Sequence, residues 1–91
     1  MNTFRLILAT PDGSIYDGDA TVLAVRGVAG ELAVMAGHVP FITTVVSSDC
    51  KVEFADGSER HGHTDGGLLT VAAGNTVTLL SGSFRWLEDA E

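Results

Sequence analysis

Cys50, His61 and His63 are the residues whose types could hold a metal, since a thiolate and two imidazoles suit a soft divalent cation such as zinc. Their geometry depends on a turn. Asp56-Gly57, between residues 51–55 and 58–63, is a strong hairpin signal because both central residues of a type I′ turn need positive φ. That turn pairs residues 54 with 59, 53 with 60 and 52 with 61. It sets Cys50 opposite His63, with His61 two residues along on the same face. It also makes Glu53 and Arg60 an opposite-charge cross-strand pair, a contribution of about 0.2 to 1 kcal/mol. Against a metal site, a catalytic zinc needs three well-placed ligands with support behind them, and a single cysteine is commonly a small buried hydrophobe. The expectation is therefore no metal and no cofactor. Other chemistry is weaker still. Ser81-Gly82-Ser83 leads into no helix and so is no nucleophile elbow, and the glycine-rich residues 62–67 lack the lysine of a phosphate loop. Asp12, Asp56 and Asp65 sit at turn tips for turn-forming reasons. The chain is not expected to be an enzyme.

A second stretch organises the chain: Gly30-Glu31-Leu32-Ala33-Val34-Met35-Ala36-Gly37-His38-Val39-Pro40-Phe41. Residues 32–35 read as a short buried strand that ends abruptly. Gly37 takes backbone angles closed to other residues, and Pro40 fixes its own φ and pushes Val39 toward extended geometry. His38, held between them, is presented on a stiff loop. Glu31, after Gly30, lies at the mouth of a second turn. Both are candidates for contact with a partner.

Length and charge bound the rest. A chain of 91 residues is one domain that buries about 60 to 65% of the surface its unfolded form exposes. With 45% hydrophobic residues it fills a modest core without disulfides, and a lone cysteine fits a reducing compartment. Twelve acids against five basic residues give a formal charge of -7, which repels nucleic acid and anionic lipid and favours protein partners. No apolar run approaches the roughly 18 residues of a membrane span, and the first residues carry no leader pattern. The expectation is a soluble protein, monomeric alone, without direct insertion into lipid.

The elements that carry these residues are strands. Residues 4–10 place Phe4, Leu6 and Leu8 on one face, Pro11-Asp12-Gly13-Ser14 turns, and residues 15–17 return. Gly18-Asp19 reads as another turn, followed by a strand over 21–26 with Leu23 and Val25 on one face. Residues 41–46 are rich in β-branched side chains. Gly66-Gly67 opens a strand over 68–72, and Gly74-Asn75 turns it into 76–80. Residues 84–91 are the only stretch that could start a helix. The fold class is all-β, an antiparallel β-sandwich or flattened barrel of about eight to ten short strands with no substantial helix. Leu6, Leu8, Leu23, Val25, Leu32, Val34, Val71 and Leu79 are expected in its core.

Taken together, these stretches resemble the epsilon subunit family of bacterial F-type ATP synthase, in its amino-terminal β-sandwich domain. The family pattern Gly-Glu-Leu-Gly-aliphatic-x-Pro-Gly-His-x-Pro is matched over residues 30–40, with Ala33 and Ala36 where glycine and proline are usual. A second block is matched by Gly66-Gly67, Leu69, Val71, Asn75, Val77, Thr78 and Leu80, and the Pro-Asp-Gly-x-x-Tyr hairpin near the amino terminus agrees. The resemblance implies a sandwich over residues 1–85. Residues 86–91 would be the start of a carboxy-terminal helical region otherwise absent, for which truncation and natural absence read alike. It implies a non-catalytic rotor subunit of the central stalk, peripheral at the cytoplasmic face of the bacterial inner membrane as part of F1. Its partners would be the gamma subunit and the polar loops of the c-ring. Glu31, Ala33, His38, Phe41 and Ile42 would contact them, with Gly30, Gly37 and Pro40 shaping the loops. The alternative is a stand-alone binding module for a metal or small polar ligand through Cys50, His61 and His63.

Overall fold

Phe4, Leu6 and Leu8 project from one side of the first strand and are at most 2% exposed, while Arg5 between Phe4 and Leu6 faces water. The same alternation recurs along most of the chain and builds ten strands in the computed structural model, which describes residues 2–87. These are β1 (Phe4–Thr10), β2 (Gly13–Ala20), β3 (Val22–Gly27), β4 (Gly30–Met35), β5 (Phe41–Val45), β6 (Ser48–Glu53), β7 (Glu59–Thr64), β8 (Gly67–Ala72), β9 (Thr76–Ser81) and β10 (Phe84–Trp86). There is no helix among the described residues.

Strand order divides the sheet into two halves. One runs β4-β3-β6-β7-β10 and the other β5-β8-β9-β1-β2, joined where Gly27 pairs with Val45. Backbone bonds on either side of that joint, Val28 N–H to Thr44 O at 3.1 Å and Val46 N–H to Arg26 O at 3.0 Å, keep it closed. The chain passes from β2 to β3 at Thr21, whose N–H and hydroxyl both donate to Glu53 O, at 2.8 and 3.1 Å. Apolar side chains from both halves meet in one core that includes Leu6, Leu8, Leu23, Val25, Val34, Val71 and Leu79. This is the expected β-sandwich, nearly closed like a barrel. One pairing departs from a purely antiparallel plan, because β1 lies parallel to β9.

Four local expectations are corrected. Gly18-Asp19 is no turn: β2 runs through it, pairing Gly18 with Leu6 and Asp19 with Arg5. Tyr16 lies over Gly18, where a Cβ would meet its hydroxyl at 2.7 Å, and that hydroxyl donates to Asp19 O at 2.7 Å. Opposite Ile7, Asp17 accepts two bonds from Arg5 at 2.9 and 2.8 Å, and these hold its carboxyl below the ordinary value. Second, β4 is an edge strand paired only with β3, so Val34 is buried but Leu32 is half-buried and Met35 is 55% exposed. Third, Phe84 and Trp86 belong to a strand and start no helix. Phe84 packs its ring onto Gly62 of β7, where a side chain would collide with it, and against Trp86 edge-on at 5.1 Å. β10 thus extends through Trp86, one residue past the expected sandwich boundary at 85, and residues 88–91 of the expected helical start lie outside the described residues.

The fourth correction is the β6–β7 register. Gly57 N–H bonds to Phe54 O at 3.0 Å and Phe54 N–H to Ser58 O at 2.9 Å, with φ positive at Gly57 and not at Asp56. That is a longer loop closed by a glycine bulge rather than a two-residue I′ turn. Asp56 favours it by accepting the Ser58 N–H and hydroxyl at 2.8 and 2.6 Å, bonds that hold its carboxyl below the usual range. Every pairing moves by one residue, so Cys50 faces Gly62, Lys51 faces His61, Val52 faces Arg60 and Glu53 faces Glu59. A one-residue shift exchanges the two faces of a strand. Arg60, freed from Glu53, lies over the Trp86 ring at 4.0 Å.

Two outcomes follow from this packing. Leu79 is fully buried, and Leu79→Ala should lower the unfolding free energy by about 2 to 5 kcal/mol in urea titrations, through lost burial plus a cavity. Cys50 is buried and its thiol is pushed up to about 11, by desolvation first and Asp49 second. At pH 8 it should react with a disulfide reagent much more slowly in the native protein than in urea; equal rates would place it on the surface.

Candidate functional site

β4 sends Glu31, Ala33 and Met35 outward and Val34 inward, with Leu32 half-buried. Glu31 lies directly opposite Arg26 and is bound to it at 2.8 Å, with both side chains largely in water. An exposed pair of this kind contributes at most about 1 kcal/mol, so its use is to hold two charged heads in a fixed place. Ala33 pairs with Ala24, and these small side chains line an open groove of about 590 Å3 together with Arg26, Glu31, Lys51 and His61. This end of the strand is polar and bears both signs of charge.

The other end is different. His38 N–H donates to Met35 O at 3.2 Å to close a turn in which Gly37 has φ of 83°, a left-handed conformation that suits glycine. Gly37 N–H in turn donates to Asn75 Oδ1 at 2.8 Å. The exposed His38 ring has Nδ1 3.0 Å from Val39 O and leans on Phe41 with centroids 5.0 Å apart. Met35, Val39 and Ile42 are 55, 69 and 65% exposed, which gives this end an apolar character. Along the outer side of the second half, Thr44 pairs with Leu68 and Leu68 with Leu80, and both leucines are exposed.

The candidate residues therefore separate. Glu31 lies beside Gly30 at one end of β4 and Ala33 near its middle, while Gly37, His38 and Pro40 lie beyond its other end. Phe41 is half-buried against the core opposite Val71, and Ile42, its neighbour, faces water. Sequence reasoning did not pick out Met35, Val39, Leu68 or Leu80 as surface groups, nor Asn75 as the anchor of the His38 turn. A signal was present for two of them: Leu68-Leu69 and Leu79-Leu80 are adjacent pairs in strands, and only one of each can face inward.

Cys50, His61 and His63 are not brought together. Cys50 points into the core, whereas His61 lies 2.9 Å from Glu59 and His63 2.8 Å from Asp49 and 3.9 Å from Asp65, all outside. No group of three or more His, Cys, Asp or Glu among the described residues is placed to hold a metal ion.

Comparison with known proteins places this geometry. The chain is 34% identical over 89 residues to the sodium ion specific ATP synthase epsilon chain of Acetobacterium woodii, covering 98% of this chain and 66% of that one. It is 40% identical over 81 residues to the ATP synthase epsilon chain of Polaromonas naphthalenivorans, covering 89% and 58%. The chain thus spans about three fifths to two thirds of the length of these curated relatives. Among solved structures, a chain of the Euglena gracilis mitochondrial ATP synthase, OSCP/F1/c-ring, superposes with a TM-score of 0.90 at 22% identity, covering 98% of this chain and 56% of that one. One from the central stalk/c-ring of the Tetrahymena thermophila mitochondrial ATP synthase gives 0.76 at 16% identity, covering 89% and 64%. At these identities the likeness is one of fold. The family model for the ATP synthase Delta/Epsilon chain, beta-sandwich domain, matches residues 3–87, and the chain belongs to that family.

Proposed function

We propose that the chain acts as the sandwich of a non-catalytic rotor subunit in the central stalk of F1Fo ATP synthase, linking the gamma subunit to the c-ring so that proton transport is coupled to ATP synthesis. The observation that carries this reading is the contrast about β4: a fixed Arg26–Glu31 pair at one end and, at the other, the His38 turn leading into an outer face of β5, β8 and β9 on which Ile42, Leu68 and Leu80 are exposed. Large apolar side chains gathered on a surface mark a protein contact, and paired charges suit the polar loops of a second partner. We assign the His38 end, with Ile42, Leu68 and Leu80, to gamma, and the Glu31 end, with Ala33 at mid-strand, to the c-ring loops. In this reading the sandwich ends with β10 at Trp86, before the helical region of the family, and the protein is peripheral at the cytoplasmic face of the bacterial inner membrane.

Pull-down with its cognate gamma subunit tests the assignment. His38→Ala should change thermal stability by no more than the roughly 0.5 kcal/mol usual for surface sites, and should weaken gamma binding. Glu31→Ala should spare gamma binding and weaken attachment to the c-ring. A folded chain that binds neither partner would defeat the proposal.

A further inference from the structure

Asn75 has two tasks, and the turn it sits in needs only one of them. It follows Gly74 between β8 and β9, and the two have φ of 64° and 87° respectively. A glycine at position 75 would meet that backbone demand at least as well, because it has no Cβ to crowd the carbonyl. The asparagine side chain serves a distant loop: its Oδ1 accepts the Gly37 N–H at 2.8 Å across 38 positions of sequence. Because Gly37 offers a donor, the amide oxygen and not the nitrogen must face it. The anchor is itself held. Asn75 O accepts the Arg5 N–H at 2.9 Å, and the β9 strand it leads into is paired on one side with β8 and on the other with β1. Without Asn75, the turn retains the His38 N–H to Met35 O bond at 3.2 Å, the long end of the usual range.

We infer that Asn75 is a positioning residue for the His38 turn, fixing Gly37 and through it the direction in which His38 and Val39 meet a protein partner. The inference rests on the reading of the His38 end as the gamma contact. Glycine at position 37 is free to take other backbone angles once its N–H is released, and a partner would then have to order the turn as it binds, at a cost in affinity.

Three variants separate the possibilities, with amide exchange of the isolated chain and affinity for gamma as readouts. Asn75→Gly keeps the left-handed backbone and removes the acceptor; Asn75→Asp keeps both; His38→Ala removes the contact itself. In Asn75→Gly, protection at Gly37 should be lost while the Leu6 and Leu79 amides keep theirs, and gamma binding should weaken about two- to tenfold, the range for one lost hydrogen bond. Asn75→Asp should restore both. Unchanged exchange at Gly37 in Asn75→Gly would overturn the inference. So would tight gamma binding by Asn75→Gly when His38→Ala binds weakly, leaving the gamma assignment intact. Loss of core protection in Asn75→Gly would make Asn75 a residue of the fold and also overturn it. Normal gamma binding by His38→Ala would defeat the gamma assignment, and the positioning role with it.

Discussion

Burial of one face of every strand is the constraint on which this small domain depends. The β period is two, so each strand has one register that turns its apolar side chains into the shared core and a neighbouring register that turns them to water. Phe4, Leu6 and Leu8 commit β1, Leu23 and Val25 commit β3, and Leu69 with Val71 commits β8. Once these are inside, Glu31, Ala33, Ile42, Leu68 and Leu80 have no choice but to lie outside. The surface offered to partners is a consequence of the core.

That dependence explains what could be read from the chain and what could not. Strand number, core and general architecture follow from alternation, and seven of the eight residues expected in the core are buried, with Leu32 half-buried on its edge strand. The β6–β7 hairpin shows where local signals fail. Asp56-Gly57 suits two kinds of turn, and the bonds from Ser58 to the Asp56 carboxylate select the longer one. A shift of one residue then separates Cys50 from His61 and His63 and dissolves the metal arrangement. Gly18 and Gly62 mislead differently, since each makes room for an aromatic ring, Tyr16 in one case and Phe84 in the other. A glycine that clears space for a distant ring looks, in sequence, like a turn or says nothing.

The two ends of β4 were legible as turns, but not as surfaces of different character. Alternation turns Met35 and Ile42 outward on their own strands, without saying that Leu68 and Leu80 share the Ile42 face. The connection between Asn75 and Gly37 spans 38 positions of sequence and has no local signature. Such links are set by the strand order, which places the β8–β9 turn beside the end of β4. In the proposed rotor role, a rigid acidic sandwich with a polar end and an apolar end would orient two partners at once. Charge complementarity would govern approach at the Glu31 end, and apolar burial would govern retention at the His38 end.

In the proposed role the His38 end of β4, and not the histidine hairpin, meets the gamma subunit. Backbone amide shifts of the isotope-labelled chain, followed while gamma is added, test it most directly. Changes should concentrate at Gly37, His38, Val39 and Ile42 and extend to Leu68 and Leu80, with residues 51–63 little affected. Changes confined to the β6–β7 hairpin, with the His38 turn undisturbed, would contradict it.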